Sequence, residues 1–160
     1  ALNQIQGAYS LVAMTEDALI GLRDPLGVRP LVLGRIDRAN ILCSETCALD
    51  IIGAEYIRDV EPGEIVVVSA KGIRSIKPFN KKNKRFCIFE YIYFSRPDSK
   101  IFGKSVDKMR RSFGKKLAQE CPSDKGEIVI SVPDSSNTCA LGYSKESGIN
   151  HEIGLIEIIM

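Results

Sequence analysis

The chain has 160 residues, 44% hydrophobic and 26% charged, the composition of a protein built on one core or two small ones. Twenty-two Lys and Arg against 20 Asp and Glu leave a net charge of +2, too near neutrality for a protein that holds a polyanion by charge alone. No uncharged apolar run is long enough to span a bilayer, and no charged-then-apolar leader opens the chain. The expectation is a cytoplasmic protein with neither nucleic acid nor membrane as partner.

In chain order, the first half reads as strands and tight turns. Ala8–Met14 and Ala18–Leu22 are β-rich runs separated by the hairpin-length Thr15-Glu16-Asp17. Arg23-Asp24-Pro25-Leu26-Gly27 is a turn in which Asp opens, Pro fixes φ and Gly takes positive φ. Pro30–Leu33 and Asn40–Cys43 predict two strands around the polar loop 35–38. Ser44-Glu45-Thr46 predicts a helix start, Cys47–Ile52 a short helix, and Gly53 its stop. Val60–Glu64 is a Pro-Gly turn, and Ile65–Ser69 and Ile73–Lys77 form a hairpin around Ala70-Lys71-Gly72.

The basic, aperiodic run Phe79–Arg85 predicts a domain boundary and a solvated linker. Beyond it, Phe86–Phe94 reads as extended. Ser105–Gln119 has helical spacing at Val106, Met109, Phe113, Leu117 and Ala118. Glu127–Val132, Asn137–Ser147 and Glu152–Ile156 predict strand, helix and strand, a βαβ unit. The start at Ala1 and the apolar stop Ile153–Met160 are read as cuts through structure, making this the middle of a longer polypeptide.

The segment Val132-Pro133-Asp134-Ser135-Ser136-Asn137 joins a predicted parallel strand to a helix, the place where open α/β sheets bind ligands. A helix start offers unpaired N–H groups and a positive dipole end, which suits phosphate. Asp134, Ser135, Ser136 and Asn137 are therefore the candidate substrate-binding residues. The same residues also suit an ordinary N-cap cluster, and both readings stay open at this point. Five cysteines (43, 47, 87, 121 and 139) and one histidine, His151, give neither a disulfide framework nor zinc-ligand spacing. No catalytic set can be assembled from the spacing.

Several strings taken together resemble one family. They are Gly7-Ala-Tyr-Ser10, Arg23-Asp-Pro-Leu-Gly-Val-Arg-Pro-Leu31, Ser44-Glu-Thr-Cys-Ala-Leu49, Arg58-Asp-Val-Glu-Pro-Gly-Glu64, Phe89-Glu-Tyr-Ile-Tyr-Phe-Ser-Arg-Pro-Asp-Ser99 and Val132-Pro-Asp-Ser-Ser136. Their order and spacing resemble the amidophosphoribosyltransferases. The resemblance implies an α+β then α/β chain. Residues 1–78 would be the C-terminal part of an N-terminal-nucleophile glutaminase sandwich, 79–85 a linker, and 86–160 the start of a type I phosphoribosyltransferase domain.

The reaction implied is transfer of glutamine-derived ammonia to 5-phosphoribosyl 1-pyrophosphate (PRPP), giving phosphoribosylamine at the opening of purine biosynthesis. Ser135 falls where the family places a hydroxyl on Mg²⁺, and Cys87 where iron–sulfur members place a ligand to a [4Fe-4S] cluster. The family is usually a homo-oligomer when complete. The nucleophilic Cys, which the family carries at its mature N-terminus, and the main PRPP loop have no counterpart here, so the chain by itself is expected to be inactive. The string after Leu155-Ile156 departs from the family's pattern. A related glutamine amidotransferase and a non-catalytic binding module are the competing expectations.

Overall fold

The computed structural model describes residues 4–80 and 82–158. Ala1, the terminal Ile159 and Met160, and Lys81 of the expected linker lie outside them. The chain has mixed α/β content and divides into two compact units, Ala1–Cys87 and Ile88–Met160.

In the first unit, β1 (Ser10–Met14), β2 (Ala18–Arg23), β6 (Ile65–Ser69) and β7 (Gly72–Ile76) form an antiparallel sheet ordered β1-β2-β6-β7. A second antiparallel sheet is ordered β4-β3-β5, from β3 (Val32–Ile36), β4 (Ala39–Cys43) and β5 (Glu55–Asp59). The expected loop 35–38 is shorter than predicted. β3 runs on to Ile36, and the reversal is made at Asp37, which takes φ +49. β5 carries no strong sequence signal, since Tyr56 and Ile57 are exposed.

Two glycines seat leucines on opposite faces of the second sheet. A Cβ on Gly21 of β2 would lie 2.8 Å from Leu42 Cδ1, so the first sheet closes onto Leu42 there. A Cβ on Gly34 of β3 would lie 2.4 Å from Leu49 Cδ2, on the helix α1 (Thr46–Ile51). The layers are thus sheet, sheet and helix, with Leu31, Val60 and Val66 at the core between the sheets. Burial of such side chains is worth about 2 kcal/mol each.

The end of the basic segment is held to the first unit by its backbone. Arg85 N–H donates to Leu26 O at 2.9 Å and Cys87 N–H to Val28 O at 3.0 Å, so this stretch lies along the 24–28 turn. The division falls after Cys87 rather than within 79–85. Composition registered the exposed lysines but not these backbone bonds.

In the second unit, the expected extended stretch 86–94 contains a five-residue π-helical turn, Glu90–Phe94. Aromatic β propensity is overridden by tertiary bonds. Ser95 Oγ donates to Glu90 Oε2 at 2.8 Å. The buried Arg110 guanidinium donates to Tyr91 O at 2.6 Å and Ser95 O at 2.7 Å. A small hairpin follows, β8 (Lys100–Ile101) with β9 (Lys104–Ser105), and then α2 (Val106–Glu120) and α3 (Asn137–Ser147). The buried stripe of α2 is Val106, Arg110, Gly114 and Ala118.

The expected strands 127–132 and 152–156 are reduced to one parallel bridge, Val129 with His151. It is flanked by Val129 N–H to Asn150 O at 2.8 Å and Glu152 N–H to Val129 O at 2.9 Å. A parallel ladder needs covered faces and further strands. Ile128, Ile130 and Val132 are exposed instead. The α/β order is retained, while the strands do not extend.

Candidate functional site

The loop from Ser131 to Asn137 lies between the bridged segment at Val129 and the start of α3. Ser131 is buried, and its hydroxyl donates to Asn137 Oδ1 at 2.7 Å. That contact turns the Asn137 amide so that Nδ2 faces Asp134 Oδ1 at 3.4 Å. The backbone closes over the same residues, with Asn137 N–H donating to Asp134 O at 3.1 Å and Ala140 N–H to Ser136 O at 2.9 Å. The Ser136 hydroxyl donates to Val132 O. The Pro133–Asp134 peptide is cis.

The four expected residues are therefore together, but they divide by use. Ser136 and Asn137 spend their polar atoms on the loop itself. Asp134 is exposed, and its carboxylate has no cationic partner among the described residues. The half-buried Ser135 hydroxyl makes no hydrogen bond among the described residues. A carboxylate and a hydroxyl thus stand side by side before the positive end of α3. Two contributors went unread in the sequence. Ser131 orients Asn137 across six positions, and Thr138, in the first turn of α3, has a buried Oγ1 without a hydrogen-bond partner among the described residues. Only the hydroxyl-rich string around them hinted at either.

Adjacent hard oxygens fit a Mg²⁺ ion that takes one or two protein ligands and completes its shell with water and substrate phosphate. They do not make a dedicated metal cage, for among the described residues no three His, Cys, Asp or Glu side chains converge. The same fact weighs against a cluster built by this chain's residues alone. Cys87 is half-buried at the end of the first unit, with its backbone tied to Val28 and no companion ligands. Burial pushes the Cys43 and Cys139 thiols up, away from the reactive thiolate. His151 sits in the parallel bridge, and its buried Nε2 has no hydrogen-bond partner among the described residues.

The string Arg23–Leu31 proves architectural. Arg23 is buried, donating to the carbonyls of Arg29 (2.8 Å), Val60 (2.6 Å) and Gly27 (3.1 Å). Asp24, fully buried, accepts from the N–H groups of Leu26 (2.9 Å) and Val28 (3.1 Å). Burial pulls the Arg23 guanidinium below its ordinary value, and Asp59 and Asp24 offset only part of that.

No family model matches the chain. It is 49% identical to an amidophosphoribosyltransferase of Rhizobium etli over 161 aligned residues, covering 98% of this chain and 32% of that protein. The corresponding protein of Bacillus subtilis is 45% identical over 157 residues, covering 98% of this chain and 33% of the relative. Among solved structures, a glutamine PRPP amidotransferase from B. subtilis, complexed with ADP and GMP, matches with a TM-score of 0.93 at 44% identity. That match covers 98% of this chain and 34% of the other. The chain spans about a third of the length of these relatives. Over nearly its whole length, in sequence and in fold, it is similar to one third of an amidophosphoribosyltransferase.

Proposed function

We propose that this chain is part of a glutamine-dependent amidophosphoribosyltransferase, an enzyme that moves ammonia from glutamine onto C1 of PRPP with loss of pyrophosphate. In this reading the first unit is the C-terminal part of a glutaminase sandwich, and the second is the opening part of a type I phosphoribosyltransferase domain. The observation that carries it is the extent of the likeness, which covers 98% of the chain and so takes in both units. A related amidotransferase of another pathway would share the first unit and lose the likeness in the second.

The chain's own part in the reaction is to hold one end of PRPP. Asp134 and Ser135 would hold Mg²⁺, which when bound offsets the charge of the diphosphate. Ser131 and Asn137 orient the loop, and the first turn of α3 directs N–H groups and a positive dipole end at the phosphate oxygens. In this reading the cysteine nucleophile that attacks glutamine would be supplied by other residues of such an enzyme. A cluster would find one ligand here, Cys87.

The test is PRPP binding by the complete enzyme with and without Mg²⁺. Ser135→Ala is expected to raise the PRPP KM about tenfold, a loss of one metal or phosphate contact, and to leave glutamine hydrolysis intact. Absence of Mg²⁺-dependent PRPP binding would instead favour the related amidotransferase.

A further inference from the structure

The first unit holds a basic groove that this function does not use. Its floor is made by two Pro-Gly turns locked to each other. Gly63 N–H donates to Asp24 O at 2.9 Å, and Gly27 sits so close on Pro62 that a Cβ there would lie 2.5 Å from Pro62 Cγ. The carboxylates beneath, Asp24 and Glu64, are fully buried and fully bonded, so the floor is rigid. Above it lies a cavity of about 270 Å³, walled by the Phe79 ring and rimmed by Lys77, Lys82 and Lys84.

Three ammonium groups face one carboxylate, Glu61, which is already paired with Lys77 at 2.6 Å. Lys82 and Lys84 form no ion pair among the described residues. A second cavity of about 580 Å³ shares Pro25, Phe79, Asn80 and Lys82 with the first and continues past Gly7 and Leu26. The basic rim therefore opens onto a trough whose one charged lining residue among those described is Lys82, with Phe79, Pro25 and Leu26 along it.

We propose that this groove binds a small organic phosphate. Its phosphate would lie between Lys82 and Lys84, and its planar or apolar part over Phe79 and Pro25. Proline and phenyl faces suit a ring. Exposed lysines provide charge at moderate strength that falls with ionic strength. Because the floor is fixed by buried bonds, the ligand has to order only the lysine side chains.

Phenyl phosphate is the probe, titrated into the complete protein by equilibrium dialysis. Lys82 and Lys84 are exposed, so Lys82→Gln with Lys84→Gln leaves the fold untouched. The double variant is expected to lower affinity about tenfold. Replacing both lysines with arginine restores binding, and Ser135→Ala leaves it unchanged. Unchanged affinity in the Gln double variant, or no binding to the wild type at millimolar probe, overturns the proposal. So does binding that is lost in Ser135→Ala but kept in the Gln double variant, which would place the probe at the loop before α3.

Discussion

Glu64 shows how much of this chain a pattern reading leaves unseen. Its carboxylate is buried. It accepts from both Arg58 Nη groups at 2.8 and 2.7 Å, from Ser75 Oγ at 2.5 Å and from Glu61 N–H at 2.7 Å. These groups come from β5, the Pro-Gly turn and β7, so one side chain ties the two sheets together. Burial pushes the carboxyl up, but the hydrogen bonds from Arg58, Ser75 and the backbone outweigh it and hold it at about 2. A carboxyl depressed in the folded state stabilises fully above its ordinary value, and that stability is lost as pH falls from about 4.5 towards 2. Glu64→Gln should cost about 2 kcal/mol at neutral pH in chemical denaturation, because Arg58 keeps a partly hydrated position. It should also flatten the acid limb of the stability curve over that pH window. In sequence, Glu64 is only the last letter of a turn, and its partners lie six and eleven positions away. Asp134 and Ser135 could be picked out as candidates because loop position and residue type coincide there. Ser131 was not, because a serine in a strand-like run carries no local sign of its partner.

Among the elements, the hairpins and helices with local signals were readable in the sequence. Gly27, Gly53 and Gly63 take positive φ at the turns and stops where composition had placed them. The pairing of α2 with α3 was not readable, because glycines set it. A Cβ on Gly114 would lie 1.9 Å from Cys139 O, and one on Gly142 would lie 2.2 Å from Arg111 O. The backbones meet where hydrophobic periodicity had pointed to Phe113 and Leu117, and Leu117 is about half exposed. Gly114→Ala should therefore destabilise the second unit by about 3 kcal/mol despite alanine's better helix propensity. Lys115→Ala, one position along on the exposed face, should change stability by under about 0.5 kcal/mol. Thermal melts of the two variants give the comparison, and equal melting temperatures would show that the helices do not cross at this glycine.

For the whole molecule, the described residues leave apolar surface on both units. In the first sheet the strand registers place Leu11, Ile20, Leu22, Ile65, Val67 and Ile76 on the face turned away from the second sheet. No described helix covers that face in its unit. In the second unit Ile128, Ile130, Val132, Ile153 and Ile156 are exposed. Soluble monomers seldom expose contiguous patches of this kind. The 160-residue chain prepared alone should bind anilinonaphthalene sulfonate strongly and self-associate as concentration rises. A monodisperse product that leaves the dye dark would show these faces to be covered. The sequence reading divided the chain where β-rich patterning changes to α/β, and the structure divides into compact units after Cys87. The lysine run reads as a spacer by composition, whereas the backbone of Arg85 and Cys87 just after it is bonded to Leu26 and Val28.

The order β1-β2-β6-β7 has a kinetic consequence. β2 and β6 are hydrogen-bonded neighbours, with Leu22 opposite Ile65, yet the whole second sheet and α1 lie between them in the chain. Bringing them together from an unfolded excursion of roughly 40 residues carries a closure entropy that nothing local repays. If β3, β4 and β5 assemble first, the excursion becomes a compact insert whose ends, Val32 and Asp59, are already paired. Stopped-flow refolding should then show that weakening the β3–β4 hairpin slows formation of the first unit. Weakening the β6–β7 hairpin should mainly hasten its unfolding.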